Sequence, residues 1–458
     1  AWRHKDRLSA AHRALLVAYL GPRFPRRPTL AELIAAGDQA ALAAPEQVEA
    51  WYIVGANYLS FGSIIGYPGW EARAAEALAR AFALDSTHGP TLDLLLLLAA
   101  GARDREAVRR YAAFYLAHNP TAERAGFLRW LAATVLGDSA ELKAVRRRFD
   151  QMPVIGLRSI VLWSQDHGTG LEDAERAAQF AFRRATSTPE RSVALQRLVT
   201  LLLNRGRPDE ASPVLATGER IFGTRFDVGT LEFQVYAALY WDGDSVAAAA
   251  AARRLDAYVR GALAHPPEVR DRHTANCALA HWHIAARDFD GARAALGRMR
   301  RLPAIAPGLP SPESRPVCVA ALEAELAAVG RESNAATALD RLDQLLRAGS
   351  QTVEVVPTVA NLIAARLFEN RGDLARALDA TRRQTHWNWF LSTQLREEGR
   401  LAASSGDRGG AIRAYEHYLT LRSGPEPRLQ PDVERVRAEL RRLKLRMEEG
   451  KGRTPPSP

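Results

Sequence analysis

The sequence predicts an all-α protein: a right-handed solenoid of helical hairpins closed by a C-terminal capping helix. Three observations carry this. Gly372-Asp373-x-x-x-Ala377 recurs as Gly406-Asp407-x-x-x-Ala411, with the two alanines 34 residues apart, the period of a stacked helix–turn–helix unit. Ala, Leu and Arg, good helix formers, dominate the chain, whereas β-branched runs are scarce. Prolines stand six residues ahead of the first-helix position of several units, as in Pro45 and Trp51, Pro120 and Gly126, and Pro189 and Leu195.

In chain order, Ser9 caps a helix from Ala10 to Leu20 that Gly21-Pro22 ends. Pro22 to Pro28 forms an extended basic connector, and Thr29-x-x-Glu32 is a capping box opening the next helix, which runs into Pro45. Trp51, Gly55 and Tyr58 have the aromatic–small–aromatic spacing of a first helix; Ala74, Leu78 and Ala81 mark its partner. Phe61 to Trp70 reads as an enlarged loop, about seven residues longer than the repeat requires; insertions often collect on a binding face, but the expectation is a tolerated loop that buries its own aromatics. Trp130 occupies a small-residue position ahead of a turn at Gly137-Asp138. Further turns fall at Gly206 to Asp209 before Ala211, at Gly243-Asp244, and at Asp288 to Gly291 before Ala292. Leu302 to Pro316 is a long Pro-rich connection. The total is about nine to eleven hairpins.

Gly424 to Pro431 breaks the pattern. Asp432 then caps a last helix whose Val433, Val436, Leu440, Leu443 and Met447 follow the 3–4 spacing of a coiled-coil seam about two heptads long, and the expectation is a capping helix that covers the final repeat. The expected organisation is an N-terminal helix and connector (1–28), a repeat array (29–424), a capping helix (425–449) and a disordered tail (450–458).

Hydrophobic residues make up 47% of the chain, which excludes global disorder. The net charge of +10 comes almost wholly from Arg, with only four Lys, and the acidic residues are interspersed with it. This is the pattern of solvated helix faces; a nucleic-acid footprint needs clustering, so no nucleic acid is expected as partner. The longest apolar run, Leu94 to Ala100, is too short to span a bilayer, and no signal peptide is visible. The chain begins at Ala1 rather than Met, as a processed product or a fragment would.

Motifs for phosphate cradling, zinc-dependent proteolysis, serine hydrolysis and kinase chemistry are missing from the sequence, so no enzyme and no cofactor are expected. His273, Cys277 and His281 recur every four residues on one helix face. The outer two would lie about 12 Å apart at about 1.5 Å per residue, too far to share one ion. Adjacent pairs could chelate an ion, but the stripe reads as a polar groove face, with no metal. Cys277 and Cys318 sit on separate hairpins, and no disulfide is expected between them. Trp387-Asn388-Trp389-Phe390 reads as packing between hairpins.

Leu395, Gly399, Ala411, Tyr415 and Tyr418 follow the signature of the tetratricopeptide repeat (TPR), and most of the chain resembles that superfamily. Ala50 to Gly62 (AWYIVGANYLSFG) and Glu397 to Pro427 resemble the C-terminal TPR regions of bacterial serine/threonine protein kinases and related activator-type regulators. The resemblance implies a protein- or peptide-binding scaffold, the sensor or docking arm of a bacterial signalling protein. Two alternatives are a C-terminal fragment of such a kinase, whose catalytic domain is absent here, and the repeat domain of a DNA-binding transcriptional regulator. The implied location is the cytoplasm, or the periplasm where the arm follows a membrane-anchored kinase. The oligomeric state is left open.

In TPR arrays the first helices line a concave groove. Carried onto this chain, the groove positions are Arg366, Asn370, Arg396 and Arg400, with Gln196, Thr200, Asn204, Cys277 and His281 upstream. Arginine forks bind carboxylates and Asn can hold a peptide backbone, so the expected partner is a protein with an acidic segment held by the three arginines. The competing expectation is that these arginines pair with Glu369, Glu397 and Glu398 on a solvated face.

Overall fold

The computed structural model describes residues 2–119, 121, 123–222, 224–240, 245–261, 269–303, 314–349, 355–384 and 388–451. Pro120, the Gly243-Asp244 turn, Trp387, residues 304–313 of the long connection and the tail beyond Lys451 lie outside them. The helices are α1 Ala10–Leu20, α2 Leu30–Ala43, α3 Val48–Ile65, α4 Trp70–Leu84, α5 Gly89–Gly101, α6 Arg105–His118, α7 Ala125–Leu136, α8 Ser139–Arg147, α9 Val154–His167 and α10 Leu171–Arg184. They continue as α11 Thr188–Asn204, α12 Pro208–Phe222, α13 Thr224–Tyr240, α14 Ser245–Val259, α15 Val269–Ala285, α16 Phe289–Arg301 and α17 Arg315–Val329. The last are α18 Ala335–Ala348, α19 Val355–Asn370, α20 Leu374–Arg382, α21 Leu391–Ser405, α22 Arg408–Leu421 and α23 Gln430–Lys451. From α3 to α22 they fall into ten successive pairs, and the described residues contain no strand. The architecture is an all-α solenoid. Among the described residues no helix is long and apolar enough to cross a membrane.

Local chemistry sets the helix ends. Ser9 accepts from the backbone N–H of His12, and Thr29 and Glu32 form the reciprocal capping box. Asp138, Asp288, Asp373 and Asp407 cap α8, α16, α20 and α22 in the same way. Gly137, Gly372 and Gly406 each precede such an Asp at φ of 70°, 79° and 86°, which a side chain would strain. The proline register also has a physical basis: the Trp51 indole donates to the Pro45 carbonyl at 2.8 Å.

The enlarged loop expected at Phe61 to Trp70 is instead mostly helix. α3 continues to Ile65, which is buried with Tyr58 and Val54 against Leu30 and Ile34. The connection shrinks to Gly66–Gly69, with both glycines at positive φ, and α4 starts at Trp70. The extra residues lengthen the apolar face of the hairpin, where burial offsets the cost of ordering them.

The chain divides into two compact units, one built on residues 1–194 and the other on most of 195–458. In the first, Trp130 is fully buried despite its small-residue position. Its indole donates to Asp173 at 3.0 Å, and Arg146 grips the same carboxylate through two bonds of 2.7 and 2.9 Å.

In the second unit the hairpin array closes on itself. Asn204 of α11 donates to the Asn388 carbonyl and accepts from the Ser392 N–H, both at 3.0 Å. Thr393 donates to the carbonyl of Tyr240 at 2.9 Å, and Gly206 accepts from the Glu426 N–H at 2.9 Å. Phe390 is fully buried beside Phe233 and Tyr240, and Trp389 lies against Phe233, so this aromatic segment packs as expected. Val433, Val436, Leu440 and Leu443 of α23 are buried, and the Tyr415 hydroxyl donates to Glu439, so α23 covers the last hairpin.

Candidate functional site

Three of the sequence-selected residues meet in one cleft. Arg366 from α19 and Arg396 and Arg400 from α21 line a space of about 420 Å³ with Tyr240, Leu362, Thr393 and Leu401. Glu369 and Glu397 line it too. The walls come from α13, α19 and α21, helices brought together by the closure of the second unit. Asn370 is exposed at the end of α19 and does not line this cleft.

The arginines do not stand free. Arg400 holds Glu369 in a two-bond fork at 2.6 and 2.7 Å and reaches Glu397 at 2.9 Å. That fork holds the Glu369 carboxyl below its ordinary range, burial opposing it only in part. Arg396 bonds Asp432 at 3.2 Å and lies 3.5 Å from Glu397. Arg366 pairs with Glu325 rather than with Glu369. Glu398 pairs with Arg382, outside this cleft. The pairing and cleft readings therefore both describe the arginines: they are ion-paired and they line a concavity.

Behind the cleft wall lies a buried polar cluster that the sequence did not announce. Glu325 of α17 accepts from His281 Nδ1 at 2.9 Å and from Arg366 on the cleft side. Burial by itself would raise the Glu325 carboxyl, but the hydrogen bond to His281 and the charge and hydrogen bond of Arg366 prevail and hold it below its ordinary range. The Tyr240 phenol is pushed up, first by burial and then by the nearby Glu325 charge.

The remaining groove expectations are corrected. Thr200, Asn204, Cys277 and His281 are buried, and Gln196 is half-buried. At the end of α11, Asn204 is covered by residues 388–392 of the same chain, which use its donor and acceptor. His273 is likewise interior, so the His273–Cys277–His281 stripe is not a solvated groove face. Cys277 and Cys318 form a disulfide, against expectation, with Cα atoms 6.2 Å apart. They do belong to separate hairpins, but the first helices α15 and α17 pack side by side, which brings the two within bridging range.

No family model matches the chain, and no curated protein matches it. Similar solved structures include yeast Tom70, 12% identical with a TM-score of 0.34 over 96% of this chain and 89% of that one. The TPR domain of P58(IPK) is 13% identical with a TM-score of 0.22, covering 95% and 99%. Naa15/Naa10 bound to HypK-THB is 14% identical with a TM-score of 0.23, covering 97% and 74%. Scores this low carry no argument about kinship or function; the all-α solenoid rests on the helices described above.

Proposed function

We propose that this chain is a non-enzymatic, TPR-like scaffold that binds an extended protein segment in the cleft between α13, α19 and α21. The observation that carries the reading is the convergence of Arg366, Arg396 and Arg400 on one concave space that also has apolar lining from Leu362, Ala365 and Leu401. The segment that suits it has an apolar anchor flanked by a carboxylate. Glu369 and Glu397 already occupy the Arg400 fork, so a partner carboxylate competes with them or uses donors they leave over; a guanidinium has five. All three arginines are already ion-paired, so they contribute selectivity as much as affinity, because exchanging one carboxylate for another gains little net energy.

The resemblance of Ala50 to Gly62 and Glu397 to Pro427 to the repeat regions of bacterial kinases supports a docking or sensor role in a signalling protein. Kinase motifs encoded upstream in the same reading frame would support that arm reading, and an uninterrupted frame without them would remove the kinase version of it.

The test of the cleft is a peptide-array screen with the full chain and an Arg396→Ala/Arg400→Ala variant. Wild type should retain acidic–apolar peptides, weakening with salt, and the variant should bind them at least about tenfold less well, the loss of roughly 1.4 kcal/mol. Equal binding by both, with helical content unchanged, removes the cleft assignment.

A further inference from the structure

Helices α15 and α17 bring three metal-ligand groups to one buried point. The Sγ atoms of Cys277 and Cys318 and a ring nitrogen of His281 lie within 4.8 Å of one another. All three residues are buried. Cys277 and His281 are four apart on α15, the spacing that lets two side chains grip one ion from one helix face. Cys318 enters from α17. Bonds of about 2.0–2.3 Å to a tetrahedral zinc put the donor atoms about 3.3–3.8 Å from each other; the two sulfurs, bonded to each other here, reach that separation once the disulfide is broken and they move apart.

The surroundings suit an ion as well. His281 Nδ1 is held by the Glu325 carboxylate at 2.9 Å, which leaves Nε2 as the basic nitrogen. A carboxylate behind a ligating histidine is the arrangement that orients the ring and raises its basicity. Glu325 is in turn balanced by Arg366. Two thiolates would cancel the charge of a divalent ion, so the filled site is neutral overall and escapes most of the cost of burying charge.

We propose that, in the reduced protein, Cys277, Cys318 and His281 bind one zinc-class divalent ion, with Glu325 as the positioning residue behind His281. The disulfide and the metal site are then alternative states of one cysteine pair. A thiol or phosphine reductant supplies two electrons, and two protons are taken up as the S–S bond breaks. The two thiols release two protons as they bind the ion. Three protein ligands leave the fourth position to an exogenous group. This inference is independent of the cleft reading.

The experiment uses the full chain, reduced with a phosphine that is then removed under anaerobic conditions, and titrated with cobalt(II) followed by zinc. The expected result is one cobalt per chain with thiolate-to-metal charge-transfer absorption, displaced by zinc, and nothing from the oxidised protein. Cys277→Ser should lose most of that absorption, and Glu325→Gln should keep the spectrum while weakening affinity by about tenfold or more. Folded, reduced protein with two countable thiols and no charge-transfer band overturns the proposal. So does a Cys277→Ser variant with an unchanged spectrum. Reduced protein that loses its helical signal and does not regain it with zinc also counts against the site.

Discussion

Gly399 lies directly beneath the ring of Tyr415: a Cβ added to Gly399 would fall 2.3 Å from Tyr415 Cε1. The small residue of the repeat therefore meets the aromatic four residues beyond Ala411. Gly55 shows the same relationship with Leu78, whose Cγ would be 2.4 Å away.

Gly399→Ala should destabilise the protein by roughly 1–3 kcal/mol through overpacking, as should Ala411→Leu at a fully buried position of the partner helix. Urea unfolding monitored by circular dichroism reads this. Variants that unfold at the wild-type midpoint would show that α21 and α22 are not packed in this register.

Asp173→Ala should cost roughly 2–4 kcal/mol. That is below the about 3–5 kcal/mol of a fully buried pair because Arg146 is 41% exposed at its side chain and is partly resolvated. The loss also leaves the Trp130 indole N–H without its partner. A change under about 0.5 kcal/mol, the usual range for surface sites, would contradict the arrangement.

His273 is buried with neither ring nitrogen hydrogen-bonded, and burial, followed by the Arg315 charge, pushes its pKa down to about 4 from 6.5. Between these values the unfolded chain holds more protons, so this residue's contribution rises with pH from 4 to 6.5 and is lost as pH falls through that window. A shift of this size corresponds to roughly 3 kcal/mol. Asp93 works the other way: burial, only partly offset by Arg124, raises it from 3.8 to about 6, so its contribution is lost as pH rises across that range. His273→Leu should therefore flatten the acid sensitivity of the melting temperature, and Asp93→Asn should steepen it. A His273→Leu profile parallel to wild type would refute the buried neutral imidazole.

Reducing the Cys277–Cys318 bridge, which spans 41 residues, should lower stability by about 2–4 kcal/mol. Thiol labelling in denaturant should modify neither cysteine until a reductant is added. Labelling of both without reductant would mean that the bridge does not form.

What sequence alone determined is what local chemistry dictates. A capping oxygen acts on amides two or three residues away and a glycine at positive φ acts on its own turn. Ser9, Thr29, Asp373, Asp407 and the Gly-Asp turns therefore gave helix ends directly, and the apolar spacing gave the hairpins. The cleft was partly legible, because Arg366, Arg396 and Arg400 follow from helix register. Tertiary structure decided which inward faces stay open. Residues 388–392 return to cover Asn204, over a separation of nearly two hundred residues that no local pattern records. It also decided the partners of the charges, Glu369 for Arg400 and Glu325 for Arg366, and the meeting of Cys277 with Cys318. These depend on the angle and rise between successive hairpins. That geometry is set by the sum of many side-chain contacts across α13, α15, α17, α19 and α21, whereas the sequence period specifies only that hairpins repeat.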